Sequence, residues 1–263
     1  MAVSLTFTEI EWLCVSVVEV SFLAFVLFRR LFRSHPWFSL YVLSFVLQTI
    51  VVAAVYRYWG TTSDEYWIAA WLSQAVVVAT RWLAIVEIAR NVFASYSGIW
   101  RLAGLILLTS SIAILLYAVA ISGIRFDSMV IAADRRVELF IALFVVAMFL
   151  FARYYRLPIS DTERQLAIGF CLYSCVWVIN DSLYEGWRQS LGSAWDFLQT
   201  IAFVASLIIW FNALRLPERP TVPAPGKTVS PEVYAQLSEE VNSRLLTLNN
   251  RLTHLLRSKD YRS

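Results

Sequence analysis

Residues 99–122 read IWRLAGLILLTSSIAILLYAVAIS and hold a single charged side chain, Arg101, near their start. A run of this length and character matches the roughly 20 apolar residues needed to cross a bilayer core. In lipid a spanning segment must satisfy its own backbone amides, as a helix, or join a closed barrel. The period-2 alternation of barrel strands is absent, so the segment reads as a membrane helix.

Similar runs lie on either side, at about 10–28, 37–57, 66–89, 137–155, 165–183 and 195–214. Short connections with turn signals separate them, such as Trp59-Gly60-Thr61, Tyr96-Ser97-Gly98 and Leu157-Pro158. The fold expected from the sequence is an all-α integral membrane protein, with seven transmembrane helices in residues 1–215. Composition agrees: 59% of the residues are apolar and 16% charged, too little charge for a soluble surface on a 263-residue chain. The first run has no basic leader and begins at Glu9 and Glu11, so no cleavable signal peptide is expected.

Basic residues set the orientation. Arg29, Arg30, Arg33, Arg90, Arg101, Arg153, Arg156, Arg164 and Arg215 fall at one set of span ends. The other set is poorer, although it includes Arg135 and Arg136, and it holds most of the acids, among them Asp64, Glu65, Asp127 and Asp134. The basic side is expected to be cytoplasmic, which puts the N-terminus outside and the C-terminus inside a plasma (inner) membrane. Trp59, Trp67, Trp187 and Trp195 are expected at the outer interface, and Trp37, Trp100 and Trp210 at the inner one.

After residue 215 the character changes. Pro217, Pro220, Pro223 and Pro225 mark 216–229 as a stiff linker. An amphipathic helix is expected at 230–258, with Ser230 as N-cap and Pro231 in the first turn, before a disordered end at 259–263. Val241, Leu245, Leu248, Leu252 and Leu255 follow a 3-4 spacing and read as a short coiled-coil seam. Besides the lipid bilayer, the expected partner is a second copy of the chain, or another helix, at that seam.

Several activities are excluded by what the spans lack. The only lysines, Lys227 and Lys259, lie in the tail, so no span can form a Schiff base with retinal. The only histidines are His35 and His254, so no span offers bis-histidine haem ligation or a zinc cluster. No catalytic motif, metal site or cofactor is expected, and no basic-aromatic patch suggests nucleic acid. Cys14, Cys171 and Cys175 sit in apolar runs, where thiols are inert. With Ala167, the last two form a small-residue stripe suited to close helix approach.

Polar residues at membrane depth remain. Glu19, Gln48 and Arg81 lie at similar depth in spans one to three, and Gln74 shares the face of Arg81. Such groups are costly in lipid and turn inward to partners, so Glu19 and Arg81 are expected to pair. The layer is either an ion, proton or ligand site or a buried pair that fixes packing. A second group, Glu11, Glu138, Asn180, Asp181, Glu185 and Asp196, is expected as an acidic outer rim, with interfacial solvation as the simpler reading. Glu87 and Arg90 read as a local pair. Two functions fit: a signalling or scaffold module with a coiled-coil tail, or a small oligomeric channel or transporter using the polar layer.

Overall fold

The computed structural model describes residues 7–60, 62–94, 96–123, 125–155, 157–187, 192–215, 239 and 242–251, with side chains except at 7–12, 97, 180–187 and 192–196. The elements are α1 (Phe7–Phe28), a 3-10 turn (Leu31–Arg33), α2 (Pro36–Trp59), α3 (Asp64–Phe93), α4 (Ser97–Ser122), α5 (Phe126–Tyr154), α6 (Asp161–Trp187) and α7 (Gly192–Arg215). Residues 242–251 form a further helix, called here the tail helix. The side chains of Glu11, Asn180, Asp181, Glu185 and Asp196, the linker, and Val241, Leu252 and Leu255 lie outside the described residues.

Local chemistry sets the helix ends. Ser63 caps α3 by accepting from Tyr66 N–H at 3.1 Å, and Asp64 and Glu65 follow in the first turn, where the helix dipole favours acids. Gly60 and Gly123 end α2 and α4 with φ of 77° and 60°, a backbone region that glycine enters without strain. Pro36 opens α2, and the two free amides behind it, on Trp37 and Phe38, donate to the Glu87 carboxylate of α3 at 3.4 and 2.9 Å. Glu87 is thus a cap on a neighbouring helix, where a local pair with Arg90 was expected.

Each helix packs on the next in chain order, α1 closes against α7, and α3 also meets α5 and α6 from the centre. The Arg29 guanidinium donates to the Arg215 carbonyl at 3.1 Å, pinning the ends of α1 and α7 together. A close approach joins α6 to α7 at Gly169, where any Cβ would run into the Trp210 indole.

The chain is turned inside out relative to a soluble protein. Leu43, Leu47 and Ile50 of α2, Leu108, Ile112, Leu115 and Val119 of α4, and Leu139, Leu143, Val146 and Leu150 of α5 form exposed apolar stripes at helical spacing. Glu19, Arg81, Asp134, Glu138 and Ser174 are buried instead. Stripes this extensive need a hydrocarbon surround. Five described helices, α2 to α5 and Phe197–Arg215, are long and apolar enough to cross a membrane. The protein is an all-helical, multi-pass membrane protein.

Two further expectations change. α5 begins at Phe126, well before residue 137, so Asp134, Arg135 and Arg136 belong to a helix and not to an outer connection, and Glu138 lies well inside that helix, not at its start. Charged residues made 134–136 read as a loop, yet Asp134 and Arg136 find partners on neighbouring helices: Asp134 meets α3, and Arg136 donates to the Tyr117 hydroxyl at 2.5 Å and lies over its ring. Trp210 is fully buried, where an interfacial position was expected, and its indole N–H donates to the Leu166 carbonyl at 3.0 Å.

Candidate functional site: a polar cavity around Arg81

Asp134 and Glu138 are four residues apart, which places both carboxylates on one face of α5. That face meets Arg81 of α3, whose Nη1 donates to Asp134 at 3.1 Å and also to Glu138. Arg81 is 3% exposed and Glu138 0%, so these charges are removed from water. Desolvation of that kind is tolerable only when neighbouring donors occupy the remaining lone pairs. They do: Gln74 Nε2 donates to Asp134 at 2.9 Å, Gln48 Nε2 donates to Gln74 at 2.7 Å, and the Ser174 hydroxyl of α6 donates to Glu138. The guanidinium also lies over the rings of Tyr41 and Tyr173, 5.7 and 5.3 Å from their centroids.

Glu138 is therefore at the centre of the bundle, not on an outer rim, because α5 carries it inward. Glu19 is not the partner of Arg81; it accepts from the Thr49 hydroxyl at 2.8 Å. One cation against two carboxylates leaves an excess of negative charge when all are ionised, and Glu19 adds to it. The structure thus brings Gln48, Gln74 and Arg81 into one network and sets Glu19 across the space beside it. The participation of Tyr41, Thr49, Asp134, Tyr173 and Ser174 was missed from sequence. The 134/138 spacing was the available signal, hidden by starting span five too late.

That space is a cavity of about 410 Å³, bordered by Glu19, Gln48, Thr49, Gln74 and Arg81 and walled by aromatic rings. A second cavity of about 450 Å³ shares Gln48, Gln74 and Trp177 with it and reaches Tyr66 and Trp67 in the first turns of α3. Together they lead from Arg81 to the end of the bundle that holds the α2–α3 turn. At the other end the way is filled. Phe22, Phe38, Tyr41, Phe170 and Trp210 are each at most 4% exposed, and their centroids stand 4.8–6.5 Å apart in mostly edge-to-face contacts.

No family model, curated protein or solved structure matches this chain. The chemistry of the site accordingly rests on its geometry.

Below the aromatic cluster, at the end carrying the 3-10 turn, is a separate polar cluster. Asn91 Nδ2 donates to Glu163 at 2.7 Å, and His35 Nδ1 stands 3.7 Å from the same carboxylate. The tail helix docks beside it. Leu245 is 2% exposed within the same core as Val92, Phe93 and Ile99, and the Asn249 side chain accepts from Gly98 N–H. Gly98 is required there, since a Cβ would meet the Asn249 backbone and side chain. Of the seam positions described, Leu245 is thus covered by its own bundle and Leu248 is half-buried. Cys171 and Cys175 are free thiols with sulfurs 3.9 Å apart, and Ala167 is fully buried. Among the described residues no group of three or more His, Cys, Asp or Glu is placed to hold a metal ion.

Proposed function

We propose that the chain is a seven-span membrane signalling module, with its N-terminus outside and its tail in the cytoplasm. A small solute enters the cavity from outside and changes how firmly the tail helix is held on the inner end. The observation that carries this reading is the asymmetry of the interior. Polar space runs from Arg81 toward the α2–α3 turn, whereas a fully buried aromatic cluster separates it from the end where the tail docks.

Helix lengths of 22 to 30 residues for α1 to α7 favour seven spans, since about 20 residues at roughly 1.5 Å rise cross the core. Arg29, Arg30, Arg33, Arg90, Arg101, Arg153, Arg164 and Arg215 sit at helix ends on the tail side, which favours that side as cytoplasmic. Release of the tail would free Leu245 and complete the seam from Val241 to Leu255 for a second copy or a partner helix.

A channel or transporter would have to part the aromatic cluster for every solute passed. The deciding experiment is reconstitution in proteoliposomes, with flux measured for monovalent ions and small labelled solutes. The signalling reading expects no flux above empty liposomes, together with hydrogen exchange in 242–251 that responds to solutes added outside. Saturable uptake abolished by substitution at Arg81 would overturn it in favour of transport.

A further inference from the structure

We infer that the cavity beside Arg81 takes a small organic cation, an alkylammonium compound. This inference rests on reading the cavity as a ligand site. Two independent features of the lining lead to it.

The first is charge. Among the described residues Arg81 is the only basic one bordering the inner cavity, and both of its acidic partners are already bound to it. Glu19 borders the same space, 6% exposed, with a threonine hydroxyl where a cation would be expected. A carboxylate withdrawn from water in this way gains most from a positively charged visitor.

The second is shape and surface. The walls are Tyr41, Phe45, Tyr173, Trp177 and Phe203, which pack ring against ring at 5.4–6.0 Å. Aromatic faces attract a diffuse organic cation. A volume of about 410 Å³ suits a small organic molecule.

The test uses the full chain in lipid nanodiscs and calorimetric titration with four probes. Choline and ethanolamine carry both the ammonium and the oxygen, tetramethylammonium carries the charge alone, and 3,3-dimethyl-1-butanol has the shape of choline without its charge. Choline, ethanolamine or tetramethylammonium is expected to bind saturably, and the neutral alcohol to bind roughly 30-fold or more less tightly. Glu19→Gln is expected to cost a similar factor, while Glu87→Gln, remote from the cavity, leaves binding unchanged. Equal affinity for choline and the neutral alcohol, or binding of none of the cations, overturns the inference, and neither comparison needs a variant to fold. A cation that binds without altering hydrogen exchange in 242–251 leaves the ligand class standing and defeats the signalling reading. Tail exchange that answers only to anions or neutral solutes does the reverse.

Discussion

Replacing Arg81 by methionine keeps an unbranched apolar stem and removes the guanidinium with its charge. Asp134 then retains one donor, the Gln74 amide, and Glu138 retains one, the Ser174 hydroxyl. Two carboxylates one helical turn apart, with Glu138 wholly buried, are left without a counter-charge. Breaking a buried pair costs about 3–5 kcal/mol, and the loss of both partners at once places this case in the upper half of that range. At about 2–4 °C per kcal/mol for a chain of this size, the melting temperature falls by roughly 8–20 °C. The assay is thermal denaturation of the purified protein in detergent, read by the loss of the monodisperse peak on size exclusion. The informative comparison is the triple variant Arg81→Met, Asp134→Asn, Glu138→Gln, which keeps the shapes at 134 and 138 and removes every charge. It is expected to recover most of the loss, because a neutral cluster avoids the desolvation of three ions. Glu138→Gln alone leaves Arg81 paired with Asp134 and should cost less, about 1–3 kcal/mol. If the single and triple variants all melt with the parent, the cluster is not an electrostatic unit and the account of the core fails. A triple variant as unstable as Arg81→Met would assign the loss to packing of the guanidinium between the tyrosines.

Gly169→Ala should destabilise by about 1–3 kcal/mol in the same melting assay, because the new methyl displaces the Trp210 ring and breaks its bond to Leu166. Glu87→Ala should cost about 1–2 kcal/mol by uncovering the amides that open α2, with Glu87→Gln recovering part of it; equal melting of all three proteins would remove Glu87 as a cap. Gly98→Ala should leave the bundle melting unchanged while residues 242–251 exchange amide hydrogens faster, and unaltered exchange would show that Asn249 does not hold the tail. A reporter fused after Arg215 should be active only in the cytoplasm and one inserted beside Asp64 only outside, whereas the same side for both would cancel the orientation.

What the sequence settled by itself is the solvent. Runs such as 99–122 are too apolar and too long for water, and the backbone's need for internal hydrogen bonds makes them helices whatever surrounds them. It also marked Gln74 and Arg81 as neighbours on one face, since that relation depends only on the pitch of a single helix. Wherever the reading depended on a second helix, it ran out. Asp134 looks like a loop residue beside Arg135 and Arg136, and Glu138 like a span end, and only the arrival of Arg81, Gln74 and Ser174 from two other helices makes α5 affordable at that point. Glu19 and Arg81 have opposite signs and similar depth, but depth says nothing of azimuth, and azimuth turned Arg81 toward α5. The leucines of the tail have a spacing that suits any helical partner. Which surface Leu245 covers was decided by Gly98, whose missing side chain lets Asn249 come within hydrogen-bonding reach of the backbone.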